Sequence, residues 1–513
     1  MVPSSCGAKG LAPTTSRGAR RYALTLVVAL AMATVASCSS SAQTAPPAQG
    51  GSLSWRACDG QFLCARLRVP ISYAQPAEGS LSLAVVMLPA TAGAPLGDLV
   101  MNPGGPGVSG VSFLESAGPS FPSPVRRAFN LVSFDPRGIG ASDPVDCVSP
   151  AGLRRWLAVD PAPVTARQVD EVVAAVKRFV AGCVAHTSLL LLANLSTAET
   201  ARDMDRLRIA LGQRSLTYLG FSYGTYLGAL YAQAFPSRVR AMVLDGAIDP
   251  ALGTVRTSIQ QAAGLETDLH DFFAWCPTDT SCASELPGGA AAAFRELTGH
   301  LRRGAILPAT PSGAIGSQPV DLGVAETGIA STLYSRLDWP NLAQALSEGL
   351  RGNGTLLAQL ADGYAGIESD GSDTNILSAN IAISCLDQPS PKGVPTYEAL
   401  ARTMTAADPD FGAIEAWGTL VCAYWPVPPS GRTGAVHPRG VAPILVVGST
   451  RDPVTPYGWA KALAAELPGA VLLTRSGDGH TGYFASSCIQ QWADRYLTSL
   501  RLPPRNTICP SNR

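Results

Sequence analysis

Apolar residues in this chain gather in short blocks, separated by glycine- and proline-bearing turns and by longer stretches with helical spacing. Residues 81–88, 99–102, 131–134, 216–221, 241–244 and 444–447 form apolar runs of strand length. Such runs suit strands covered on both faces. Ser196-Thr197-Ala198-Glu199 has the spacing of a capping box and predicts a helix that stops at Gly212. Strands alternating with helices predict an α/β fold, a mostly parallel sheet with helices on both faces. The rhythm breaks between residues 252 and 438, where helical patterns (290–301 and 342–350) and Gly/Pro-rich loops take over, and it resumes at Pro443. The core therefore reads as 55–251 and 439–513, interrupted by a large, mainly helical insertion at 252–438.

The N-terminus has a different pattern. Arg17, Arg20 and Arg21 precede an apolar run from 22 to 36 that ends in Val35-Ala36-Ser37-Cys38. Residues 1–37 read as an export signal. A cysteine directly after Val-Ala-Ser resembles a bacterial lipobox, which would make Cys38 the lipidated first residue of the mature chain. A plain signal cut near Ala36, or an uncleaved anchor, is the alternative. Residues 38–54 are mostly small and polar, a flexible tether. No later run approaches the roughly 20 apolar residues of a membrane span. The expectation is an extracytoplasmic protein, either a cell-membrane lipoprotein or secreted, whose membrane contact is the N-terminal lipid.

Composition narrows the function. The 38 basic and 38 acidic residues cancel, which removes the field a nucleic-acid binder would use. Of the 12 cysteines, Cys6 and Cys38 belong to the export region. The other ten are scattered, without C-x-x-C pairs or zinc-site spacing, and point to disulfides in an oxidising compartment.

Gly220-Phe221-Ser222-Tyr223-Gly224 matches G-x-S-x-G, a weak signal alone in a chain with 51 glycines. Here it lies between a predicted strand (216–219) and an amphipathic helix (225–235), the setting in which a sharp turn exposes a serine nucleophile. Asn102-Pro103-Gly104-Gly105-Pro106-Gly107 follows another strand. Its bare backbone can offer an N–H to an oxyanion, from Gly105 or, second, Gly104, together with the N–H of Tyr223. The base and its orienting acid should follow the serine in the order acid, histidine. Of five histidines, His480 alone lies in the resumed core, in Ser476-Gly477-Asp478-Gly479-His480-Thr481. Asp452, in the loop after strand 444–447, is the favoured acid, and Asp478 the competitor. His480 would move the Ser222 proton while Asp452 fixes its tautomer, so neither metal nor organic cofactor is called for.

With these positions placed, residues 55–510 resemble the α/β-hydrolase superfamily and, within it, the secreted actinobacterial tripeptidyl-aminopeptidase group related to proline iminopeptidases. The resemblance rests on 102–107, on Asp135-Pro136-Arg137-Gly138-Ile139-Gly140-Ala141-Ser142, on 220–224, and on Leu244-Asp245-Gly246. Towards the C-terminus it rests on Thr450-Arg451-Asp452-Pro453-Val454-Thr455-Pro456 and Gly479-His480. Asn102-Pro103 stands where proline iminopeptidases carry histidine. The resemblance implies serine hydrolysis of peptides from a free N-terminus beneath a cap formed by the insertion. In the segment resembling the family's cap, Asp387 is the candidate for the substrate ammonium. It also implies the disulfides Cys58–Cys64, Cys147–Cys183, Cys276–Cys282, Cys385–Cys422 and Cys488–Cys509. A carboxylesterase or lipase using the same triad is the alternative, since acyl-enzyme chemistry serves esters and amides alike. A catalytically silent binding protein is a third reading, disfavoured by the intact Ser222, Asp452 and His480.

Overall fold

The computed structural model describes residues 53–309, 318–431 and 434–511. Cys38, the export signal and nearly all of the tether lie outside the described residues. Among the described residues, no helix is long and apolar enough to cross a membrane.

Ten strands form one sheet: β1 (Arg56–Ala57), β2 (Leu63–Pro70), β3 (Ser80–Leu88), β4 (Gly97–Asn102), β5 (Phe129–Phe134), β6 (Leu216–Phe221), β7 (Val239–Asp245), β8 (Leu445–Arg451), β9 (Val471–Asp478) and β10 (Ile508–Pro510). Their order is β1-β2-β3-β5-β4-β6-β7-β8-β9-β10. From β5 to β10 every neighbouring pair is parallel, while β1, β2 and β3 form an antiparallel edge. The parallel strands share one C-terminal edge, where ligands of such sheets bind.

The central strands are largely apolar because both faces are covered. In β4, Val100 packs into one core while Leu99 and Met101 pack into the other; in β8, Val446 and the Leu445–Val447 pair divide likewise. On one face lie α1 (Gly110–Ala117) and, far along the chain, the helix at Ser487–Ser499; on the other lie α2 (Thr197–Ala210) and α3 (Tyr223–Ala234). Between β7 and β8 the regular elements among the described residues are helices, including α4 (Thr254–Trp275), α5 (Ile376–Asp387) and α6 (Gly412–Gly418).

All ten cysteines in the described residues are paired, as Cys58–Cys64, Cys147–Cys183, Cys276–Cys282, Cys385–Cys422 and Cys488–Cys509. Five disulfides fit an oxidising, extracytoplasmic setting.

Two local expectations change. The α2 helix spans the predicted region, but the capping box does not form: the Ser196 side chain makes no cap bond. Glu199 turns instead to Arg202, at 2.9 Å. And β9 runs on through Ser476 and Gly477 to Asp478, so only Gly479 separates the strand from His480.

Candidate active site

β6 ends at Phe221 and α3 begins at Tyr223, so Ser222 alone makes the turn. Its φ of 53° and ψ of −123° are a combination that residues with a side chain rarely adopt. The Ser222 N–H donates to the Asp245 carbonyl at 2.9 Å, which fixes the turn to β7. Glycine is required at 220, where a Cβ would come within 2.4 Å of the Gly224 carbonyl oxygen. The serine is left partly exposed.

The 102–107 loop presses against this elbow: a Cβ on Gly104 would lie 2.9 Å from the Ser222 Cβ and 3.1 Å from the Tyr223 nitrogen. The Gly104 N–H donates to Asn102 Oδ1 at 3.0 Å. The neighbouring Gly105 N–H has no acceptor among the described residues. Tyr223, first in its helix, has no intrahelical acceptor for its own N–H. Two unengaged donors thus belong to the elbow and to the loop pressed against it.

The histidine and the acid come from the ends of β9 and β8. His480 Nδ1 lies 3.0 Å from each carboxylate oxygen of Asp452. Asp452 also accepts from the N–H groups of Val454 (3.0 Å) and Thr455 (2.8 Å) and from the Thr455 hydroxyl (3.0 Å). Asp478 points elsewhere, into ion pairs with Arg451 (2.5 Å) and Arg336 (3.0 Å). His480 Nε2 is buried and has no hydrogen-bond partner among the described residues, which leaves it free to take a proton. Asp245-Gly246 connects the two halves of the site, since a Cβ on Gly246 would lie 3.1 Å from His480 Cε1. Burial works against the imidazolium, but the charge and hydrogen bond of Asp452, with the charge of Asp245, outweigh it and hold His480 above its ordinary pKa.

Asp387 does not lie open to a ligand. At the end of α5 it is buried, and its two oxygens accept the Thr197 N–H (2.7 Å) and the Thr197 hydroxyl (2.5 Å). It therefore caps α2 in place of Ser196 and Glu199, and the geometry speaks against its expected role as the ammonium site. Burial pushes its pKa up to about 7. The rest of α5 clamps the loops around the elbow. Asn375 donates to the carbonyls of Gly138 and Val145, both at 2.9 Å, and Asn380 donates to the Pro106 carbonyl at 3.0 Å.

Several residues here were assigned no role in the site from the sequence, although Asp245 stands in the Leu244-Asp245-Gly246 motif. Asp245 accepts the N–H groups of Gly482 (2.9 Å) and Tyr483 (2.7 Å), tying down the chain just past His480. The Tyr334 ring meets the His480 ring at 90°, 5.7 Å between centroids, and its hydroxyl is 3.1 Å from that of Tyr364. The Glu415 carboxylate, in α6, has only the electrostatic company of these two phenols, and no ion pair or hydrogen bond among the described residues. It keeps some accessible surface although protein surrounds it. Desolvation raises its pKa to about 7. Tyr334 also feels the charge of Asp452, so Glu415, the two tyrosines and the histidine share one region of the site.

Among the described residues, Glu266, His270 and Asp410 bring three metal-type ligand atoms within 4.8 Å of one another. One Glu266 oxygen is already taken by the N–H groups of Asp410 (3.0 Å) and Phe411 (3.3 Å), so the cluster fastens α4 to the turn before α6.

The family described as "alpha/beta hydrolase fold" matches residues 99–285, and the one described as "TAP-like protein" matches 408–509. The chain is 35% identical to "Serine protease Hip1" of Mycobacterium tuberculosis over 91% of its own length and 93% of that protein. It is 35% identical to "Carboxylesterase B" of the same organism, over 87% and 86% of the two chains. Against "Tripeptidyl aminopeptidase" of Streptomyces lividans it is 30% identical, over 87% and 83%. A strand-to-helix serine on a mostly parallel sheet and these extended matches lead to one conclusion: the chain is a serine hydrolase and belongs to the α/β-hydrolase family, in the group with a TAP-like C-terminal segment.

Proposed function

We propose that this hydrolase is an envelope-anchored or secreted aminopeptidase that releases short peptides, such as tripeptides, from free N-termini, with residues 252–438 as the cap over the site. Ser222 Oγ attacks the scissile carbonyl carbon and passes its proton to His480 Nε2. The Asp452 carboxylate keeps the other imidazole proton on Nδ1 and supports the imidazolium. The carbonyl oxygen, now negative, is held by the N–H groups of Gly105 and Tyr223. His480 returns the proton to the leaving amine as the C–N bond breaks; it then takes a proton from the water that attacks the acyl carbonyl and gives it to Ser222 Oγ as the ester bond breaks, which restores the free serine.

The observation that carries the peptide reading is Glu415, a carboxylate with no ion pair of its own among the described residues, whose charge acts on Tyr334, the ring that meets His480 edge-on. A free N-terminus supplies the positive charge it lacks. The relatives named serine protease and tripeptidyl aminopeptidase support the same reading. Esterase action is the second reading, supported by the relative named carboxylesterase B.

The test compares free and N-blocked tripeptide anilides with p-nitrophenyl esters, using Ser222→Ala as the blank. Preference for the free amine, lost in Glu415→Gln with ester turnover kept, is the expected result. Turnover of esters alone, or preference for the blocked peptide, would overturn the aminopeptidase reading. Activity persisting in Ser222→Ala would overturn the triad.

A further inference from the structure

The loop that carries His480 is held from two sides. From the core, the Arg475 guanidinium donates to the carbonyls of Gly479 (3.1 Å) and Thr481 (3.2 Å), on either side of the histidine. From the 252–438 insertion, the Tyr334 carbonyl accepts the His480 N–H itself, at 2.8 Å. A Cβ on Gly479 would sit 3.4 Å from the same carbonyl oxygen, so the two backbones run in contact. Two residues on, Arg336 donates to Asp478 at 3.0 Å. The other Asp478 oxygen lies 2.5 Å from Arg451 Nε, and Arg451 lies 3.4 Å from Asp271 of α4. Arg451 directly precedes Asp452, and Asp478 stands two residues before His480.

We propose that segment 334–336 of the insertion seats the histidine loop, so that His480 is held in its reacting position only while the insertion is docked. Tyr334 and Arg336 are then positioning residues that act through His480. The inference rests on Ser222, Asp452 and His480 being the catalytic set, but not on the choice between peptide and ester. It has a functional consequence. An open cap would carry Tyr334 away from the base, so substrate has to enter without lifting this segment. A narrow chain end satisfies that condition and the middle of a folded protein does not. The charged groups around Asp478 are Arg336 and Arg451, with Asp268, Asp271 and Arg475 behind them, and those acting on His480 are Asp452 and Asp245.

The test uses the full chain and a p-nitrophenyl ester too short to need Glu415. It compares Arg336→Ala, Arg336→Lys, Asp478→Asn and the Arg336→Ala/Asp478→Asn pair. Because the Arg336 side chain is 53% exposed, Arg336→Ala should fold. The expected loss for Arg336→Ala is about ten- to a hundredfold in kcat with KM nearly unchanged, the signature of a misplaced catalytic group. Arg336→Lys should recover most of it, and the double variant should be no worse than the single ones. Unchanged kcat in folded Arg336→Ala and Asp478→Asn, or a change confined to Tm or to KM, would overturn the proposal. A wild-type enzyme no faster than Ser222→Ala would instead overturn the triad beneath it.

Discussion

The Asn102 side chain accepts the Gly104 N–H at 3.0 Å, and this bond leaves Gly105 as the neighbouring unengaged donor of its loop. Asn102→Ala should free Gly104 and loosen the loop. Losing an oxyanion donor outright costs about a hundredfold or more in kcat. A loosened one should cost about tenfold, with KM little changed, measured on the ester substrate.

His480 must be neutral to accept the serine proton, and its pKa is held above the ordinary histidine value against the effect of burial. The acid limb of kcat/KM should therefore have its midpoint above about 6.5. Asp452→Asn removes the charge that raises the histidine. It should move that midpoint down and lower kcat by about 10⁴-fold. A midpoint unmoved in Asp452→Asn would show that the carboxylate does not face the working base.

Glu415 is half ionised at about pH 7, since burial lifts its pKa to about 7. A substrate α-amine loses its charge above about pH 8. KM for a free-amine peptide should be lowest between these values and rise on either side, while KM for the ester stays flat. Glu415→Gln should abolish the acid rise in KM.

Among the carboxyls whose pKa burial raises, four go furthest: Asp268 and Glu326 to about 8, Asp387 and Glu415 to about 7. Unfolded, they titrate near pH 4. The folded chain thus binds more protons than the unfolded one between about pH 4 and pH 8, and these groups lower stability as pH rises through that window. Tm measured across the window should fall with pH, less steeply in Asp387→Asn, which keeps a hydrogen bond to Thr197 without the charge. Asp387→Ala should cost about 1–3 kcal/mol by leaving the Thr197 N–H buried and unpaired.

Cys385–Cys422 closes a 37-residue separation at the foot of α5. Replacing both cysteines by serine should cost about 2–5 kcal/mol. It should also free the end of α5 that delivers Asp387 to Thr197, seen as faster amide exchange in the first turn of α2.

The parallel strands β4 to β8 were legible because an apolar run is the direct imprint of a strand covered on both faces; β9 and the three-residue β10, also parallel, were not among the strands expected. Nor was β2, since Arg66 and Arg68 break its run. Only a period-two reading of Leu63, Ala65, Leu67 and Val69 would have found it. The serine, the histidine and Asp452 could be placed because each stands in a short loop at the end of such a run. The capping box failed for the opposite reason. Its local pattern was sound, but the Glu199 N–H donates to the Ser196 carbonyl at 3.0 Å and the Glu199 carboxylate pairs with Arg202. The cap bond to the Thr197 N–H comes from Asp387, 190 residues away, and no local pattern records a partner at that distance. Tyr334 and Glu415 escaped notice likewise, because a lone tyrosine or glutamate in a helical insertion gains meaning only from what it faces.

The bond from His480 N–H to the Tyr334 carbonyl bears on how such enzymes can be rebuilt. If specificity is to be changed by exchanging the insertion for that of a relative, the graft has to bring its own equivalent of 334–336, in register with the Gly479-His480 turn. The exchange point that leaves catalysis whole therefore lies inside the insertion, on either side of this short segment, and not at the junctions with the sheet.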